Sequence, residues 1–152
     1  MPVTELLSFN ARKYGQEKCL TEINMDLQEY HHVRWMDYEL IENSPAGEYR
    51  REMTWKVFDE KANRFANLLL QRGIHKEDKA AILLMNCLEW LPIYFGILKA
   101  GAVAVPLNFR YTAEEIKYCL ERSDASVLVF GSEFTDRMEA IQDQIPQVRL
   151  LF

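Results

Sequence analysis

The sequence has 152 residues, of which 49% are hydrophobic and 12% aromatic, enough apolar material for the core of one soluble globular unit. With 18 basic against 23 acidic residues the formal charge is −5, and no Lys/Arg run is present that would follow a phosphate backbone, which argues against a nucleic-acid partner. Met1 to Leu7 lacks the basic start and long apolar core of a secretory signal, and Ala80 to Met85 and Leu91 to Leu98 are too short to cross a bilayer, so a cytoplasmic location is expected.

In chain order, Thr4 as cap and Gly15 as stop predict a short helix over Glu5 to Tyr14, with Leu6, Leu7 and Tyr14 toward a core. Cys19 to Ile23 reads as a strand, and His32 to Ile41 is a second stretch rich in β-formers. Asn43-Ser44-Pro45-Ala46-Gly47 supplies turn residues before Tyr49 to Met53, so an N-terminal β-hairpin is expected. From Thr54 the pattern becomes regular. Trp55, Phe58, Ala62, Phe65, Ala66 and Leu69 recur at steps of three and four along one side of a helix, with Thr54 as its cap and Gly73 as its left-handed stop. The charged run Asp59-Glu60-Lys61 reads as a solvated face of this helix, and His75 as a solvent residue just past it.

Ala80 to Met85 is a continuous apolar run, as in a strand covered on both faces of a parallel sheet. Asn86 and Glu89 resemble a capping pair for the next helix, which Gly101 closes. Pro92 opposes this, because proline inside a helix removes a hydrogen bond and clashes with the turn before it, so the helix either starts after Asn86 or kinks. Ala102 to Val105 predicts a second buried strand stopped by Pro106. Thr112 and Glu115 form a capping box for a helix that buries Ile116, Cys119 and Leu120. Val127 to Phe130 is a third strand, stopped by Gly131. A last helix is expected over Glu133 to Gln144, with Phe134, Met138, Ile141 and Ile145 at helical spacing and Pro146 closing it. Val148 to Phe152 begins like a fourth strand and stops, which reads as a cut within a longer sheet. Strands alternating with helices imply an α/β fold with a mostly parallel layered sheet of βα units.

The six glycines form neither Gly-x-Gly-x-x-Gly nor Gly-x-x-x-x-Gly-Lys, the spacings that let backbone N–H groups cradle phosphates. No Gly-x-Ser-x-Gly elbow or His-Glu-x-x-His is present, so no catalytic, cofactor-binding or metal-ligating residue is assigned. Cys19, Cys87 and Cys119, odd in number and far apart, form neither a disulfide framework nor a zinc site, and each reads as a small buried hydrophobe. His31 and His32 are adjacent, so a strand would send them to opposite faces and away from a shared metal. Asn86, Asn108 and Gly131 lie just past strand ends, where ligands of open parallel sheets bind, although cap, turn and stop roles explain them more simply.

Residues 54–131 resemble the N-terminal subdomain of the adenylate-forming, AMP-binding superfamily, which includes acyl-CoA synthetases. The match is carried by Thr54-Trp55-Lys56-Val57-Phe58, by Asn86-Cys87-Leu88-Glu89-Trp90, and most specifically by Leu98-Lys99-Ala100-Gly101-Ala102-Val103-Ala104-Val105-Pro106-Leu107-Asn108, with Glu114 to Tyr118 continuing it. Lys56 to Phe58 departs from the family's acidic-leucine ending, and Thr21 to Met53 is longer than the family commonly has there, which suggests an insertion or a subfamily-specific hairpin. The Ser/Thr/Gly-rich phosphate loop, the Tyr-x-x-Thr-Glu segment, the ribose-binding aspartate and the C-terminal domain with its lysine are missing from the sequence.

The resemblance therefore implies residues 1–53 as an N-terminal helix and hairpin region and 54–152 as a partial βα subdomain. ATP, Mg²⁺ and coenzyme A are implied for the full-length enzyme and none of them for this chain, with a fatty or aryl carboxylic acid as substrate. The expected function is that of an N-terminal fragment of an ATP-dependent acid–thiol ligase, inactive alone. The rival is a non-catalytic interaction module that docks on a partner, or on a second copy, through an unfinished sheet edge.

Overall fold

The computed structural model describes residues 2–23, 28–35, 38–45 and 50–152, with side chains described outside 24–49. Its centre is a four-stranded parallel sheet of β5 (Lys79–Leu83), β6 (Val103–Pro106), β7 (Val127–Phe130) and β8 (Leu150–Leu151), in the order β6-β5-β7-β8. The chain winds outward from β5 to β6, then crosses back over β5 to reach β7 and β8. The direction of winding thus reverses between β5 and β7, which makes their carboxyl ends the switch point of the sheet.

Side-chain alternation assigns the two layers. Ala80 and Ile82 of β5 and Val127 of β7 pack under α2 (Trp55–Gln71) and α3 (Trp90–Lys99), together with Ala66, Leu69 and Ile97. Ala81, Leu83 and Leu128 pack on the other face against α4 (Ala113–Ser123) and α5 (Thr135–Glu139), with Ile116, Leu120 and Met138. The four apolar residues of β5 are fully buried, as the continuous apolar run requires of a central parallel strand. By contrast β6 is an edge strand with Val103 46% exposed, so the expectation of a second buried strand is corrected: its outer side has no neighbour among the described residues.

Three helices end in the same way. After α2, Gly73 (φ 76°) donates its N–H to Leu70 and Ile74 donates to Leu69; after α3, Gly101 (φ 81°) and Ala102 do the same to Leu98 and Ile97. These are Schellman ends, in which a left-handed residue turns the chain and the next apolar residue folds onto the last turn. Asp124 (φ 52°) takes the left-handed place after α4, with Ala125 donating to Leu120. The residues delivered, Ile74, Ala102 and Ala125, are all buried at the approach to a strand. At the other ends, Thr54 accepts from Val57 N at 3.4 Å, and Thr112 and Glu115 form the complete capping box.

Before the sheet come α1 (Val3–Lys13) and strands β1 (Lys18–Ile23), β2 (Gln28–Trp35), β3 (Tyr38–Pro45) and β4 (Arg50–Thr54). Helix α1 starts at Val3 with no side-chain cap, so Thr4 is an internal residue; Leu7 is buried, while Leu6 is 44% exposed. A hairpin is present with different partners from those expected. β2 pairs with β3 from Gln28↔Pro45 to Trp35↔Tyr38, while β4 pairs with β1, ending at Ile23↔Arg50. Asn43, Ser44 and Pro45 are therefore strand residues, and Ala46 and Gly47 lie outside the described residues. His31 and His32 occupy successive register positions opposite Glu42 and Ile41.

Two helix expectations change. α3 begins at Trp90 behind Glu89 with no side-chain cap bond, so Asn86 and Glu89 do not cap it, and Pro92 falls in the first turn, where a missing N–H costs nothing. The last helix is broken into a 3₁₀ turn (Ser132–Phe134), α5 and another 3₁₀ turn (Gln142–Gln144). Phe134, Met138, Ile141 and Ile145 are nonetheless all buried, so the periodicity marked the apolar face without guaranteeing an unbroken helix.

Candidate functional site

Three loops meet at the carboxyl end of β5. Leu107 N–H donates to the carbonyl of Ile82 at 2.8 Å and Gly131 N–H to that of Leu83 at 3.1 Å, so the first residues past β6 and β7 close over the end of the central strand. The third loop is β5's own continuation, Leu84 to Glu89. The structure thus gathers Asn86, Asn108 and Gly131 onto one edge.

Their local roles differ. Asn108 Oδ1 accepts Arg110 N–H at 2.9 Å and its carbonyl accepts Tyr111 N–H at 3.0 Å, so this side chain holds a turn. Arg137 of α5 fixes that turn from outside, its Nη1 donating to the carbonyls of Phe109 and Tyr111 at 2.8 Å each while its guanidinium lies over the Phe134 ring. Gly131 has an ordinary negative φ of −78°, and the atoms nearest an added Cβ would be those of the Glu133 carboxylate, the movable end of a side chain. Its N–H is already spent on Leu83. Asn86 is exposed and lines a cavity of about 250 Å³ with Thr21, Glu22, Cys87, Leu88 and Leu91.

The Leu84 to Glu89 loop is tied to the β1–β4 pair. Glu22 Oε2 accepts Leu88 N–H at 2.7 Å, and Arg51 donates through Nη1 to Glu22 Oε1 at 3.3 Å and through Nη2 to Glu89 Oε1 at 2.6 Å. Burial pushes the Glu89 carboxyl up, but the hydrogen bond from Arg51 and the charges of Arg51 and Lys61 outweigh it and hold the group below its ordinary value. The hydrogen bond and charge of Glu89 raise Arg51 in turn. Burial pushes the Cys87 thiol up, which disfavours the thiolate a nucleophile needs. All three cysteines are free and half-buried, less deeply placed than expected, and the Cys19 thiol donates to the carbonyl of Met53 at 3.3 Å.

A second polar cluster was missed by the sequence reading. Asp59 is an anchor and not part of a solvated face: its carboxylate accepts from Lys99 Nζ at 2.6 Å, Ser8 Oγ at 3.0 Å and Asn63 Nδ2 at 3.1 Å. Lys99 also donates to Asn63 Oδ1 at 2.7 Å and Ser8 Oγ at 3.1 Å, so its ammonium protons are fully used. The side chains of Lys99 and Asp59 are only 11% and 18% exposed. The cluster joins α1, α2 and α3 beside an open groove of about 560 Å³, at the opposite end of α3 from the Leu84 to Glu89 loop. The only early sign of it was a lysine within an otherwise apolar helix end. His75 is exposed, as expected. Among the described residues no group of three or more His, Cys, Asp or Glu side chains could hold a metal ion, and no helix is long and apolar enough to cross a membrane.

The candidate site is thus a sheet edge shaped by turns and latches. A model of the AMP-binding enzyme family matches residues 30–151. The chain belongs to the AMP-binding enzyme family. The match begins well before Thr54, so it takes in part of the segment that looked like an addition. A medium/long-chain-fatty-acid–CoA/3-oxocholest-4-en-26-oate–CoA ligase of Mycolicibacterium smegmatis is 37% identical over 100 residues, covering 66% of this chain and 18% of that protein. A crotonobetaine/carnitine–CoA ligase of Salmonella paratyphi B is 39% identical over 84 residues, 55% of this chain and 16% of the relative. Among solved structures, the N-terminal domain of FACL13 from Mycobacterium tuberculosis superposes with a TM-score of 0.79 at 25% identity, over 100% of this chain and 33% of the other. A benzoate CoA ligase from Burkholderia xenovorans LB400 has a TM-score of 0.75 at 16% identity, which shows the shared fold alone. The chain spans roughly a fifth of the length of the curated relatives it matches, 18% in the first case.

Proposed function

We propose that this chain supplies the N-terminal scaffold of an ATP-dependent acid–thiol ligase and catalyses neither half-reaction by itself. In the complete reaction a fatty or aryl acid and ATP give an acyl-adenylate and pyrophosphate, and the acyl group then passes to coenzyme A. The observation that carries the reading is the state of the carboxyl edge. Asn108 is engaged in its turn, the N–H of Gly131 is bonded within the sheet, and the Arg137 guanidinium is spent on two loop carbonyls. No glycine-rich phosphate loop lies at that edge among the described residues, and the exposed Arg110 there lies over the Phe109 ring. No step through ATP, Mg²⁺ or coenzyme A is assigned to them. A cytoplasmic location is part of the same proposal, as is the division of the chain into an N-terminal helix and hairpin region, 1–53, and a βα region, 54–152. The test is ATP–pyrophosphate exchange by the purified chain across a panel of fatty and aryl acids. No exchange above a no-protein control is expected, and acid-dependent exchange would overturn the proposal.

The second reading, an interaction module that docks on a partner or a second copy, is favoured by one feature. β8 pairs only with β7 among the described residues, and Leu151 is 49% exposed, so its outer edge carries neither the charge nor the proline that guards a free strand. Sedimentation velocity over a range of concentrations separates the readings: a dimer that strengthens with concentration supports this one, and a monomer throughout removes self-docking.

A further inference from the structure

We infer that the β1–β4 strand pair is a positioning device for the loop at the switch point, with Glu22 and Arg51 as the residues that set it. This rests on reading the carboxyl edge as the side of the sheet that faces a ligand. Glu22 and Arg51 are direct partners in the β1–β4 register, one step from Ile23↔Arg50, where the two strands lead into the β2–β3 excursion. From that position they hold the loop at two points. The Glu22 carboxylate accepts the Leu88 amide, and Arg51 forks between Glu22 and Glu89. Lys61 of α2 adds a weaker contact to Glu89 at 4.0 Å.

The arrangement is more than a chance surface ion pair. A surface pair joins two mobile side chains and contributes little. Here one carboxylate is bonded to a backbone amide of the loop, and the guanidinium uses separate nitrogens for its two acceptors, so the loop backbone itself is located. Asn86 and Cys87, which line the cavity beside Thr21 and Glu22, precede the held amide immediately. The strands that hold the loop are those that precede β2 and follow β3 in the chain.

Hydrogen exchange of the Leu88 amide in the 152-residue chain, followed by NMR, tests this, with β5 amides as the internal reference for global opening. Glu22→Ala is expected to speed Leu88 exchange by on the order of tenfold or more, since it removes a charge-assisted bond. Arg51→Gln should speed it by up to about fivefold, the range of an exposed pair. β5 should be unchanged in both. Arg51→Glu alone should loosen Leu88, and Arg51→Glu combined with Glu89→Arg should restore protection, because a guanidinium then faces two carboxylates again. Unchanged Leu88 exchange in Glu22→Ala and Arg51→Gln overturns the inference, as does a charge swap no better than the single change. Exchange at Leu88 involves no ligand, so its failure leaves the ligase reading standing, and acid-dependent pyrophosphate exchange would leave the latch standing.

Discussion

Lys99 sits near the start of the most recognisable stretch of the sequence, Leu98 to Asn108, and the structure gives that stretch a physical meaning. The lysine closes a three-helix network through Asp59, Gly101 turns the chain with a positive φ, Ala102 is buried at the turn, and Pro106 is the last ladder residue opposite Ile82. Just before it, a Cβ on Gly96 would come within 3.0 Å of the Ala62 carbonyl oxygen and 2.9 Å of Phe65, so glycine there lets α2 and α3 approach closely. Every one of these roles is architectural. Removing one partner of a largely buried pair strands the other charge. Lys99→Met is therefore expected to lower stability by about 2–4 kcal/mol, read from the urea midpoint, and adding Asp59→Leu should recover part of that loss. A double variant no better than Lys99→Met would mean that the carboxylate is not what the lysine serves.

At the scale of elements, the ends of helices were more legible than their partners. Thr54, Gly73, Gly101 and the Thr112 and Glu115 box could be read directly because capping is local chemistry, complete within four or five residues. Asp124 was not read, although it performs the same turn as the two glycines, because an aspartate in the left-handed region leaves no distinctive pattern. Its backbone is disfavoured relative to glycine, so Asp124→Gly should raise stability by about 0.5–1 kcal/mol in thermal or urea unfolding. The opposite end of the same helix responds to pH. Hydrogen bonds from the Thr112 backbone and side chain hold the Glu115 carboxyl below its ordinary value. A carboxyl depressed in the folded state stabilises above its unfolded pKa, and that contribution is lost as pH falls through the folded pKa. In Thr112→Ala the hydroxyl donor is gone while the backbone donor remains, so NMR titration should find Glu115 moved part of the way back up. The variant itself should cost about 1 kcal/mol as a lost helix cap.

Across the whole molecule, the sequence made the layered part plain and the first third obscure. A parallel sheet built on a central strand announces itself, because β5 is buried on both faces and its neighbours follow helices of regular period. Antiparallel pairing carries no such mark. Any stretch of β-formers between Cys19 and Met53 could pair with any other, and the turn residues at Asn43 to Pro45 pointed to the wrong reversal, since the β1–β4 pairing spans a whole excursion. The edge was half legible: Asn86, Asn108 and Gly131 do share it, but the Glu22, Arg51 and Glu89 latch joins residues far apart in sequence and could not be seen. The same long-range packing bears on whether the βα region stands alone. Leu7 of α1 and Met53 of β4 are buried in one cluster with Phe58, Ala62 and Leu88, so the apolar side of α2 is shared between the sheet and the N-terminal elements. A chain beginning at Thr54 would expose Phe58 and Leu88 and lose the Ser8 donor to Asp59. It is expected to bind a hydrophobic dye and to unfold at a lower urea midpoint than the 152-residue chain, while keeping its helical circular dichroism. An unchanged midpoint and no dye binding would show that residues 54–152 form an independent unit and that α1 and the strand pair merely rest on it.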